Sequence, residues 1–182
     1  IYFLLYSKIL YEYIFICNLM FVIGFLDDIK IKVSPLKRLL MMIFSLLFSI
    51  HFMSIGIFNI DIPFLLNFLK NDIFSSIFVL LCFLFIINGA NLIDGFNGLL
   101  VINLVIINSV LLYINISNGN NEFSIFLIAQ IIILLSFLLF NFPSAKIFLG
   151  DGGSYAIGSL VALNSIITNN LNPNYSSFFF CT

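Results

Sequence analysis

Asn88-Gly89-Ala90-Asn91-Leu92-Ile93-Asp94-Gly95-Phe96-Asn97-Gly98 lies between two long apolar runs and packs three asparagines, three glycines and one aspartate into eleven residues. In lipid each of these polar groups is costly unless it is paired or lines a wet cavity. The chain around it makes the island conspicuous: of 182 residues, 62 % are hydrophobic and only 8 % charged, where a soluble domain carries about 25 % charged residues. That is the composition of an integral membrane protein. A net charge of -1 offers no basic field for nucleic acid.

Outward from the island, apolar runs approach the roughly 20 residues that a spanning helix needs, and they predict an all-α, polytopic membrane protein with about six transmembrane helices. The expected spans are Ile9–Leu26, Leu39–Phe58, Ile73–Ile87, Leu99–Ile114, Ser124–Phe140 and Tyr155–Thr168, within a single integral membrane domain over residues 1–182. Several are short, so their ends are expected to run on into the polar connections. The chain opens on Ile1 and closes on Phe178-Phe179-Phe180-Cys181-Thr182, the start of another apolar run, so a fragment lacking both ends is expected. Cys17, Cys82 and Cys181 are far apart and without ligand spacing, and read as small apolar residues.

Alternate connections share a face. The first, third and fifth hold Lys30, Lys32, Lys37, Arg38 and Lys146, against Lys8 and Lys70 opposite, so the positive-inside bias puts them in the cytoplasm. The acids on that face are Asp27, Asp28, Asp94 and Asp151, each in a polar island at a helix mouth. Glu12, Asp61, Asp72 and Glu122 read as solvated loop residues of the other face, and His51 as a packed or snorkelling residue there.

The first island is Gly24-Phe25-Leu26-Asp27-Asp28, followed by Lys37. Adjacent carboxylates repel unless a cation lies between them, and the Ser34-Pro35 turn is expected to bring Lys37 back to face them. The plainer alternative is a helix end with lysines and Arg38 as topology anchors. In the second island, Asn91, Asp94 and Asn97 fall at steps of three, which in a helix would share one slowly drifting face. The third, Asn141-Phe142-Pro143-Ser144-Ala145-Lys146-Ile147-Phe148-Leu149-Gly150-Asp151-Gly152-Gly153-Ser154, sets Asp151 in a glycine-rich loop before a helix that Ser154 would cap. Carboxylates and amides hold Mg²⁺ through oxygen beside substrate phosphates, and a lysine adds a point charge for phosphate.

Order, spacing and sidedness of the three islands resemble the polyprenyl-phosphate sugar-1-phosphate transferases, glycosyltransferase family 4, over about residues 20–160. Asn97 and the Asn141–Asp151 run look more like the bacterial undecaprenyl-phosphate N-acetylglucosamine-1-phosphate branch than the phospho-MurNAc-pentapeptide branch. The resemblance implies transfer of a sugar 1-phosphate from a UDP-N-acetylhexosamine to a polyprenyl phosphate lipid, releasing UMP, with Mg²⁺ as cofactor and Mn²⁺ as its substitute. It implies Asp151 and Asn91 as metal ligands, Asp27, Asp28 and Asp94 as catalytic residues, and Lys37, Asp94 and Asn97 as substrate-binding residues. It further implies the inner membrane as location, cell-wall or lipopolysaccharide biogenesis as setting, and admits a homodimer. The family also carries a C-terminal His- and Arg-rich loop that this stretch does not reach. An inactive remnant and a cation-coupled transporter are the competing readings. The latter wants polar groups at the bilayer midplane, and an intramembrane aspartyl protease wants a Gly-x-Gly-Asp setting that Phe148-Leu149-Gly150-Asp151 lacks.

Overall fold

The computed structural model describes residues 2–29, 33–58, 60 and 63–173. Lys30, Lys32, Asp61 and Cys181 lie outside them. Seven helices follow in order: α1 Tyr2–Asp28, α2 Pro35–Met53, α3 Pro63–Leu69, α4 Asp72–Ile93, α5 Leu99–Ser117, α6 Asn121–Asn141 and α7 Gly150–Leu171. There is no strand among the described residues. The all-α reading holds, and five helices are long and apolar enough to cross a membrane: α1 from Leu10, then α2, α4, α5 and α6. The sixth expected span is the core of α7, a helix of 22 residues whose serines, asparagines and threonine keep it out of that group. The helices overrun the apolar runs at most ends, as α4 does by reaching Ile93 instead of Ile87.

The chain forms two compact units. In the first are α1, α2, residues 76–92 of α4 and residues 149–163. Its interior is built from residues at helical spacing: Ile16, Met20 and Ile23 on α1, Met42, Leu46 and Ile50 on α2, Val79, Phe83 and Ile87 on α4. Gly158 on α7 lies against α4, where a Cβ would come 3.0 Å from the Ile87 Cα. Glu12 departs from its expected place. Because α1 begins at Tyr2, Glu12 is inside a helix and buried rather than in a solvated connection.

The second unit takes α3, α5, α6 and α7 from Asn164 onward. Leu100, Leu104, Asn108, Leu111 and Asn115 on α5 are buried, as are Phe123, Leu127, Gln130 and Leu134 on α6. This spacing of three and four is the seam of two closely packed antiparallel helices. The seam is not purely apolar. Asn164 Nδ2 donates to Gln130 Oε1 at 2.6 Å and to Asn108 Oδ1 at 2.8 Å, so α5, α6 and α7 share one amide cluster. A second cluster joins Asn115 Nδ2 to Thr168 Oγ1 at 2.9 Å and Asn172 Nδ2 to Asn115 Oδ1 at 3.1 Å. In an apolar medium such side chains hold helices together because no solvent competes for them.

Many large apolar side chains on the helices face outward, among them Phe85, 77 % exposed, and Leu139, 80 % exposed. Apolar surface on this scale needs lipid beside it. Cys17 and Cys82 are half-buried within helices, in keeping with their reading as small apolar residues.

Candidate active site

The first unit brings together the carboxylates of two islands. Asp27 and Asp28 are the last residues of α1, and Asp151 is in the first turn of α7. The approach depends on Gly24. A Cβ there would lie 2.6 Å from the backbone N of Gly152, so the backbones of α1 and α7 meet with no room for a side chain. Gly150 opens α7 at φ +66°, a left-handed conformation that glycine alone adopts freely, and a Cβ there would press on the Asp28 carboxylate at 2.8 Å.

Asp28 has a defined local task. Its Oδ1 accepts from the Asp151 N–H and its Oδ2 from the Gly152 N–H, each at 2.9 Å. The first N–H groups of a helix lack partners within it. Asp28 supplies them from another helix, so α7 is capped from α1. Ser154, expected to cap α7, instead sits inside it, because the distant carboxylate lets the helix start at Gly150. Removing a capping acceptor costs about 1–2 kcal/mol. Asp28→Ala in the complete protein is therefore expected to lower stability by about that amount, read as a lower midpoint in thermal unfolding in detergent.

Asp151 is held on both sides. Asn91, near the end of α4, donates through Nδ2 to Asp151 Oδ1 at 2.7 Å and to Ser154 Oγ at 3.0 Å. Arg38, in the first turns of α2, donates through one Nη1 to Asp27 Oδ2 and, at 3.2 Å, to Asp151 Oδ2. Its guanidinium carbon lies 5.6 Å from the centre of the buried Tyr155 ring. Burial raises the Asp151 carboxyl above the usual carboxylate value; the Asn91 hydrogen bond and the Arg38 charge pull it down, and neighbouring Asp27 pushes it up.

Arg38 is the residue that sequence reasoning passed over. The expected partner, Lys37, is exposed and makes no ion pair with a described carboxylate. Neighbours on a helix point about 100° apart, so only one of them turns toward the acids. A signal was present: Arg38 is the sole arginine of the sequence.

Asp94 and Asn97 belong to the second unit. The helical face expected for Asn91, Asp94 and Asn97 does not form, because α4 stops at Ile93 and Asp94–Gly98 is turn. Asp-Gly and Asn-Gly pairs favour that outcome, and Asn141 fixes it by accepting from the Gly98 N–H through Oδ1 at 2.6 Å. Asn97 Nδ2 donates to the Pro143 carbonyl at 3.1 Å, and Asn141 Nδ2 to the Ile147 carbonyl at 2.8 Å. The second and third islands thus meet here through amides. Lys146 is exposed in this unit.

The donors around Asp151 suit a divalent cation of the oxygen-binding kind. Asp151 and Asp27 contribute carboxylates, and Asn91 keeps an amide oxygen that no described donor uses. A monocation, the Arg38 guanidinium, already bridges the two carboxylates. Among the described residues no three His, Cys, Asp or Glu side chains are grouped for a metal, so further ligands would be amide, phosphate or water oxygens, the usual situation for Mg²⁺.

Residues 10–169 match the family model described as glycosyl transferase family 4. The chain belongs to glycosyl transferase family 4. It is 36 % identical over 154 residues to the phospho-N-acetylmuramoyl-pentapeptide-transferase of Clostridium perfringens (strain 13 / Type A), covering 80 % of this chain and 48 % of that protein. To the protein of the same description from Streptococcus uberis it is 36 % identical over 158 residues, 79 % of this chain and 45 % of the relative. The chain spans about half the length of the curated relatives it matches. The family is the one the three islands resemble. The relatives carry the description of its pentapeptide branch, whereas Asn97 had favoured the N-acetylglucosamine branch.

Proposed function

We propose that the complete protein transfers an N-acetylhexosamine 1-phosphate from a UDP-linked donor to a polyprenyl phosphate, releasing UMP. The reading takes undecaprenyl phosphate as acceptor, in the inner membrane, with the three islands cytoplasmic and the reaction opening a cell-envelope polysaccharide pathway. The observation that carries it is the meeting, within one unit, of Asp27, Asp28, Arg38, Asn91 and Asp151 from four helices. Membership of the family supports the reaction class.

A phosphate oxygen of the lipid attacks the β-phosphorus of the donor. The new bond is the diphosphate link to the lipid; the α–β phosphoanhydride breaks and UMP leaves with its electron pair. A phosphate monoester with a second pKa near 6 is mostly ionised at neutral pH, so there is little need for a base. Alignment and charge neutralisation carry the rate. Asp28 orients the first turn of α7, and Asn91 fixes the Asp151 carboxylate. Asp27, paired with Arg38 beside them, is the carboxylate this reading gives to the lipid phosphate. Lys37, exposed and without an ion pair to a described carboxylate, is the phosphate-binding lysine of this reading. The family resemblance also assigns Asp94 and Asn97 to the uridine or sugar. Asp151 and Asn91 would hold Mg²⁺, or Mn²⁺ in its place, which when bound neutralises diphosphate charge.

Radiolabel transfer by the complete protein tests the reading, with undecaprenyl phosphate, Mg²⁺ and either UDP-N-acetylglucosamine or UDP-N-acetylmuramoyl-pentapeptide. Asn97 favours the first donor; the relatives' description favours the second. Lipid-linked product and UMP from one of them is expected; no product from either sinks the proposal in favour of an inactive member. Lys37→Ala is expected to raise the KM for a phosphate substrate about tenfold without changing the unfolding midpoint, because its side chain has no described ion pair to lose.

A further inference from the structure

We propose that Arg38 is the resident counter-cation of the Asp27–Asp151 pair and that a divalent cation entering at Asp151 displaces it. This rests on the reading of Asp151 as a metal ligand. A guanidinium stays protonated in proteins, and one nitrogen, Nη1, serves both carboxylates. Without a cation there, Asp27 and Asp151 would repel. The position is held against local preference, since a positive side chain in the first turns of a helix is disfavoured by the helix dipole, and Arg38 follows Pro35 at the start of α2. The carboxylates and the Tyr155 ring are what keep it there.

The competition follows from which oxygen is used. Asp151 Oδ1 accepts from Asn91, and Oδ2 accepts from Arg38. A divalent ion that takes a carboxylate oxygen of Asp151 therefore meets one already engaged, and its charge repels the guanidinium 3.2 Å from Oδ2. Arg38 leaves as the metal arrives, and its charge becomes available to other anions. It is a positioning residue: it sets the carboxylates and the affinity of the site.

Two measurements on the complete protein in detergent test this, neither needing turnover. Phenylglyoxal labelling of Arg38, read by mass on its peptide, is expected to quicken several-fold in Mg²⁺ relative to K⁺ at equal ionic strength. Labelling that is unchanged or slowed overturns the proposal, and this arm needs no variant. In Mn²⁺ titrations followed by electron paramagnetic resonance, Arg38→Gln is expected to tighten binding about tenfold, and Arg38→Lys by less, because an ammonium keeps the charge. Binding in Arg38→Gln no tighter than in the wild type overturns it. Wild-type protein that binds no Mn²⁺ removes both this proposal and the metal-site reading. Mn²⁺ displacement of Arg38 in a protein that releases no UMP leaves this proposal standing and removes the transferase reading.

Discussion

Asp151→Asn in the complete protein is expected to lower UMP release by about a thousandfold or more while leaving the protein folded. The substitution is nearly isosteric. Asp28 caps α7 through the backbone N–H of residue 151, which the new side chain keeps. An amide oxygen also remains for Asn91 Nδ2, which now donates at 2.7 Å. What disappears is the negative charge. The lost contact with Arg38 is a partly exposed one, with the two side chains 23 % and 34 % accessible, and such pairs are worth about 1 kcal/mol or less. Stability therefore changes little, whereas charge placement around the reacting diphosphate loses one of its few anionic oxygens. The assay is radiolabel transfer to lipid alongside a thermal melt. A variant that melts normally and keeps a tenth of the activity removes Asp151 from the reaction.

Gly24→Ala is expected to be the most damaging change outside the charged residues. The added methyl carbon would stand 2.6 Å from the Gly152 nitrogen, with backbone on both sides and no flexible side chain to yield. Overpacking of this kind costs about 1–3 kcal/mol. The better helix propensity of alanine returns at most about 1 kcal/mol, so the steric term prevails. The α7 first turn must shift, and a displacement on the order of 1 Å at a reacting group costs about a hundredfold in rate. Gly89→Ala, also helical but with open space around its Cβ position, is the control: it should leave transfer unchanged and raise stability by up to about 1 kcal/mol. A Gly24→Ala protein as stable and active as the wild type would refute the close approach of α1 and α7.

The spans were legible because apolar runs of the right length have few other uses. Their ends were not, since helices such as α4 continue into polar sequence where residue type no longer decides. The start of α7 was misread for a different reason: its cap, Asp28, is 123 residues away in sequence. Local motifs recognise caps that lie beside their helix, and Ser154 was the local candidate. The residues that cluster were legible as composition, because Asp27, Asp28, Asn91 and Asp151 stand out in so apolar a chain. The choice of Arg38 over Lys37 was not, since it turns on which of two adjacent side chains faces α7.

The amide clusters of the second unit bear on how the chain is assembled in the cell. A helix carrying Asn164, Thr168 and Asn169 has poor standing as an independent insert into lipid. Its buried Asn164 amide and Thr168 hydroxyl find their partners on α5 and α6. Those two helices precede it in synthesis, so α7 can be retained only once they are already present to receive it. The placement of Asp151 is thereby tied to the order of insertion: the helix that bears it at its first turn is accepted after α5 and α6, by neighbours that must already be in place.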